Sequence, residues 1–146
     1  MSLTKKQRLE VFNKSGGKCW YCGCDLPVKG WHADHVEPIY RGFEMVLNRK
    51  PNGFTHTSKN NGEMGKPEND KIDNIVPSCA PCNLFKATSS IEQLRNHLSK
   101  QIERGIKSNV NFRMAVKYGL VEITNKPVRF WFEDNYKKVI TNEIRY

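Results

Sequence analysis

Several things are scarce in this 146-residue chain, and each scarcity excludes a class of protein. No run approaches the roughly 18 apolar residues that a membrane span needs, so no such span is expected. The opening Met-Ser-Leu-Thr-Lys-Lys-Gln-Arg has none of the apolar stretch of a secretory signal, which predicts a cytoplasmic protein. Low-complexity tracts are absent, and apolar residues at 38% with charged residues at 27% fit neither a collagenous nor a disordered chain. The five cysteines are an odd number, which argues against a disulfide framework. The length suits one domain with one core.

Carboxylates are also few: 15 Asp and Glu stand against 24 Lys and Arg, a net charge of +9. The excess is uneven. Residues 1–41 carry +3, residues 42–85 are neutral, and residues 86–146 carry +6. A basic excess on both sides of a neutral middle points to a polyanionic partner, with nucleic acid first. Four cysteines form two equal pairs, Cys19-x-x-Cys22 and Cys79-x-x-Cys82. Two such knuckles supply the four thiolates of a closed tetrahedral zinc site, and the long gap between them must be filled by structure the clamp holds. Cys24 reads as a bystander.

The chain's local patterns predict an α+β fold. Residues 4–15 read as a basic amphipathic helix, capped by Thr4 and stopped by Gly16-Gly17. Trp31–Pro38 reads as a strand. Residues of about 41–70 are rich in Asn, Gly, Lys and Thr, with Asn60-Asn61-Gly62 as a turn signal, and read as an insertion or long loop that can contain a hairpin. Ile72–Val76 is a short return strand, and a short helix runs to Ala87. Ser89 or Ser90 caps a longer helix in which Ile91, Leu94, Leu98 and Ile102 share a core-facing stripe. A weaker helix covers about 109–119, and Val128–Glu133 reads as a late strand.

Asp34-His35 lies between the halves of the clamp. Asn74 follows before the second knuckle, and Asn83 stands directly after its last cysteine. The strings Trp31-His-Ala-Asp-His-Val-Glu-Pro38 and Asp73-Asn-Ile-Val-Pro-Ser-Cys-Ala-Pro-Cys-Asn-Leu-Phe-Lys86 carry three elements in a fixed order. These are Asp-His-x-x-Pro, Asn-x4-Cys-x2-Cys-Asn, and a Lys three residues after that Asn. In this the chain resembles the HNH nucleases, the ββα-metal fold in its zinc-clamped form, over residues 8–87. Asn83 stands where many members have His, a variant that suits Mg²⁺.

The chemistry follows from the residue types as well. Phosphodiester hydrolysis needs an activated water, neutralised phosphoryl charge and help for the leaving oxygen. A neutral imidazole with a pKa of about 6.5 can take a proton from water, which fits His35 as general base. Asp34 and Asn83 offer hard oxygens for a catalytic Mg²⁺. The resemblance implies the same roles, gives Asn74 the bracing of the loop that orients the base, and makes the zinc on Cys19, Cys22, Cys79 and Cys82 structural. It also implies DNA ends with 5′-phosphate and 3′-hydroxyl.

One geometric difficulty is plain: neighbours in an ideal strand, Asp34 and His35 point to opposite faces. His32 shares the face of Asp34 and either meets the scissile phosphate or metal, or is a packing histidine. Lys86 lies one helical turn from Asn83, placed to hold a phosphate. His56 and His97 have no such context. The expected organisation is an HNH core over 1–87 with an insertion at about 41–70, and a basic extension over 88–146 with helix and strand that adds DNA contacts or a dimer surface. The alternative is a zinc-stapled module that binds DNA and cleaves nothing.

Overall fold

A capped helix opens the chain. In the computed structural model, which describes residues 2–136, helix α1 spans Lys5–Asn13. The Thr4 hydroxyl accepts from the Gln7 amide at 3.2 Å, and the Thr4 amide donates to Gln7 Oε1 at 3.0 Å. This reciprocal pair satisfies N–H groups that a helix start otherwise leaves without partners. Past the helix, Gly16 and Gly17 both take positive φ (61° and 78°) and turn the chain into the first knuckle. Arg8 and Phe12 fix α1 on Trp31: the guanidinium lies 4.1 Å from the ring centroid and the phenyl 5.8 Å.

Strand β1 (His32–His35) pairs antiparallel with β4 (Ile75–Ser78), with Asp34 opposite Val76 and His35 opposite Ile75. The return strand thus begins later than its apolar residues suggest, because Ile72–Asn74 coil into a 3-10 turn. Lys14 holds that turn, its ammonium donating to the Ile72 and Ile75 carbonyls at 2.6 and 2.9 Å. Helix α2 (Ala80–Lys86) follows β4 directly, with Cys79 as its N-cap residue and a proline in its first turn.

Between β1 and β4 the chain makes a long ribbon. Strands β2 (Tyr40–Lys50) and β3 (Gly53–Gly65) pair antiparallel around the two-residue turn Pro51-Asn52. Asn60-Asn61-Gly62, the expected turn, is instead a bulge inside β3: the register slips between Arg41 and Phe43. The local chemistry is still that of a turn. Asn60 Oδ1 accepts from the Gly62 amide at 2.8 Å, Asn61 Oδ1 accepts from the Glu63 amide at 3.0 Å, and Gly62 has φ 86°. Ladder pairing on both sides decides the outcome.

Helices α3 (Ile91–Ser99), α4 (Gln101–Ser108) and α5 (Val110–Lys117) follow. Ser90 and Gln93 form a second capping box at the start of α3. The stripe expected to reach Ile102 is cut at Lys100 (φ −90°, ψ 0°), so Ile102 begins a new helix and is 39% exposed.

The late strand expected at Val128–Glu133 is corrected. Residues 131–136 are helical, and Val128–Phe130 pair with no strand among the described residues. The amides of Trp131 and Phe132 donate to the Tyr21 and Trp20 carbonyls at 2.8 and 3.2 Å, and Glu133 Oε2 accepts from the Phe130 amide at 2.8 Å. These bonds satisfy the start of a helix on the first knuckle, and the aromatics find their partners by packing. Phe132 stacks on Trp20 at 5.4 Å, and Phe130 meets Tyr21 edge-on at 6.0 Å.

The result is a mixed α+β protein with two small antiparallel sheets among the described residues. Its buried cluster joins Val11, Tyr21, Trp31, Ile75, Leu94 and Phe130, so helix α3 and the 128–132 segment complete a core begun by the knuckles. No helix among the described residues is long and apolar enough to cross a membrane.

Candidate functional site

The sulfurs of Cys19, Cys22, Cys79 and Cys82 all lie within 4.8 Å of one another, and none is in a disulfide. A tetrahedron with Zn–S bonds of about 2.3 Å requires sulfur separations of about 3.8 Å. The Cys22–Cys79 separation is 3.8 Å. The tetrad therefore fits a metal ion such as zinc. One knuckle follows the Gly16-Gly17 turn and the other caps α2, so a metal here ties the start of the chain to β4 and α2. Cys19 is buried and takes hydrogen bonds from the Cys82 thiol and from backbone amides, which lower its thiol below the usual range and favour the thiolate. Cys24 stands outside the tetrad; it is exposed, and its carbonyl accepts from the Cys19 amide at 2.8 Å.

A cleft of about 350 Å³ opens at the end of β1, with Asp34, His35, Pro38, Arg41, Asn83 and Thr88 among its lining. Three of the sequence-predicted residues thus share one cavity. The difficulty over opposite strand faces resolves because His35 is the last residue of β1, where the ladder ends and the chain turns away at Glu37.

Asn74 makes that turn. Its Oδ1 accepts from the Glu37 amide at 2.9 Å, while its Nδ2 donates to the Glu37 and Asn69 carbonyls, both at 2.8 Å. Its own carbonyl accepts from the Val36 amide at 2.9 Å. One side chain thereby clamps the loop on both sides, next to His35.

Asp34 is only 7% exposed. The Tyr21 hydroxyl donates to its Oδ2 at 2.5 Å, and the Lys86 ammonium lies 3.3 Å from the same oxygen. Burial pushes the Asp34 carboxyl above its usual range, opposed by Lys86 and Tyr21. Burial also raises the Tyr21 phenol, reinforced by the neighbouring carboxylate, so it stays protonated as the donor. Both contacts fall on Oδ2. On α2, Asn83 Nδ2 lies 3.4 Å from His32 Nδ1.

Lys86 is not placed as a surface phosphate contact. It is fully buried, and its ammonium donates to the His35 carbonyl at 2.6 Å besides pairing with Asp34. The i, i+3 spacing from Asn83 turns it inward, under the site. His32 lies against Asn83. His56 is exposed on β3 opposite Leu47, and His97 lies in the last turn of α3, away from the cleft.

Two residues of the site escaped the sequence reading. Asp70 Oδ1 lies 2.9 Å from His35 Nε2, with both side chains more than four-fifths buried. A carboxylate on one ring nitrogen orients the imidazole. Nothing in the spacing marks Asp70, 35 residues away; an acidic residue just before the return strand is the only signal. Arg41, at the start of β2, brings a fixed positive charge to the cleft wall.

No protein-family model, curated protein or solved structure matches this chain.

Proposed function

We propose that this protein is a metal-dependent endonuclease that hydrolyses phosphodiester bonds in DNA, with a ββα-metal core of the HNH type stapled by zinc on the four cysteines. The observation that carries the reading is the convergence of Asp34, His35, Asn83 and Arg41 on one cleft, beside β1, β4 and α2. A pure binding module has no physical reason to bury a carboxylate next to a carboxylate-oriented imidazole.

In this reading Asp34 and Asn83 would hold a Mg²⁺ ion, which would neutralise phosphoryl charge and assist the leaving oxygen when bound. His35 takes a proton at Nδ1 from the attacking water. Asp70 holds the ring and stabilises the imidazolium that forms, and Asn74 fixes the loop that carries it. Tyr21 and Lys86 keep Asp34 in one orientation, so the carboxylate does not reorganise as charge develops. Arg41 supplies a cation to the phosphate. The net charge of +9 favours a polyanionic substrate.

The test is incubation of the purified protein with supercoiled plasmid, with and without added Mg²⁺, followed by end mapping. Nicked or linear product with 5′-phosphate ends, in Mg²⁺ only, is the expected result. Retention on DNA with no product at any Mg²⁺, Mn²⁺ or Ni²⁺ concentration would favour the zinc-stapled binding module instead.

A further inference from the structure

The β2–β3 ribbon is an arm. It projects from the cleft edge, where Arg41 belongs to both, and turns at Arg49-Lys50-Pro51-Asn52-Gly53. A two-stranded ribbon is marginal in water by itself and gains stability from a partner. Cross-strand register puts Arg41, Phe43, Met45, Leu47 and Arg49 on one face, with Asn60, Ser58, His56 and Phe54 opposite them. On that face Phe43, Met45, Leu47 and Phe54 are 63%, 68%, 56% and 64% exposed. So large an apolar run on a soluble ribbon marks a contact surface.

Charge decides the occupant. The face has an arginine at each end, roughly 27 Å apart at about 3.4 Å per residue. It has no carboxylate: Glu44 points to the other face, and Glu63 sits in the bulge on the Asn61 amide at 2.9 Å. A second copy laid on this face about a two-fold axis sets Arg41 against Arg49, a like-charge pair. A duplex does the opposite. Its phosphates run along both margins of a groove and meet arginines, while apolar side chains enter between base steps.

We propose that the arm lies in the minor groove of duplex DNA beside the cleaved phosphate, with Met45 and Leu47 as wedges, Arg41 and Arg49 on the flanking phosphates, and Pro51 at the leading tip. This rests on DNA being the substrate of the cleft. Inserted wedges unstack base steps and bend the duplex, and the bend brings more backbone to the protein.

The experiment uses a 30-base-pair duplex labelled at both ends, without added Mg²⁺, and the full chain as wild type, Met45→Ser/Leu47→Ser, and Arg49→Ala. Equal zinc content and far-ultraviolet circular dichroism check folding, since all three side chains are exposed. The double variant should bind about tenfold more weakly or worse and lose the end-to-end energy-transfer change of bending, with the salt slope unaltered. Arg49→Ala should lower the salt slope by about one. Wild-type affinity and bending in both variants would overturn the proposal. So would a sedimenting dimer that the double variant dissociates without loss of DNA affinity, which would assign the face to a second copy. Failure of the wild type to cleave in Mg²⁺ bears on the cleft, and unchanged binding by the arm variants bears on the arm, so the two failures are told apart.

Discussion

The Lys86 ammonium reaches the His35 carbonyl at 2.6 Å and lies 3.3 Å from Asp34 Oδ2, so one buried cation holds both consecutive residues of the Asp-His pair. Removing one partner of a buried ion pair leaves an uncompensated charge. Lys86→Met should lower stability by about 3 kcal/mol in chemical denaturation. It should leave the salt slope of DNA binding by the folded fraction unchanged, because a fully buried lysine meets no phosphate. A loss of slope with unchanged stability would place Lys86 at the surface after all.

The cysteine tetrad should carry about one zinc per chain in protein purified without chelator, measured by plasma emission. Cys79→Ser should lose the metal and most of the stability, since a structural metal contributes directly to folding. Cys24→Ser should keep both, because Cys24 lies outside the four sulfurs that close on one another. Equal loss of zinc in the two variants would redraw the ligand set.

Asp70→Asn should lower the cleavage rate by about 10–100-fold, the usual cost of losing a group that orients a functional imidazole. DNA affinity should not change, since the carboxylate faces His35 Nε2. An unchanged rate under saturating Mg²⁺ would mean that His35 does not depend on Asp70.

The C-terminal segment should loosen in acid. Glu133 is held below the usual carboxylate range first by Arg95, at 2.6 Å, and then by the Phe130 amide. A carboxyl with a lowered folded-state pKa contributes stability above its unfolded pKa of about 4.3 and loses it as pH falls through the lower folded value. Glu133→Gln should therefore cost about 1 kcal/mol at neutral pH, the worth of a partly exposed charge-assisted pair. The gap between variant and wild type should close below about pH 4. Thermal melts from pH 7 to pH 3 read this directly, and a gap that widens in acid would reverse the sign.

The sequence discloses those parts of the molecule whose physics is local. Two Cys-x-x-Cys knuckles need only short spacing, and the Thr4–Gln7 and Ser90–Gln93 boxes need only three residues each. The strand around Asp34-His35 and the helix after Cys79 were legible for the same reason. The rest depends on distant neighbours. Asn60-Asn61-Gly62 makes turn-like hydrogen bonds in a bulge because β2 pairs on both sides of it. Phe130-Trp131-Phe132 has strand-like composition, yet starts a helix because the Trp20 and Tyr21 carbonyls take its amides. Lysines are usually exposed, and only the Asp34 carboxylate and the His35 carbonyl above it turn Lys86 inward. Asp70 joins His35 through the return of a ribbon whose length no motif sets.

The most direct test of the proposed chemistry is single-turnover cleavage of supercoiled plasmid by wild type and His35→Ala at saturating Mg²⁺, with zinc content and DNA affinity matched. His35 is assigned to take a proton from water, so the rate should fall by at least about 10²–10⁴-fold while zinc and affinity stay put. Wild-type nicking by purified His35→Ala would contradict the assignment of the general base and, with it, the proposed mechanism.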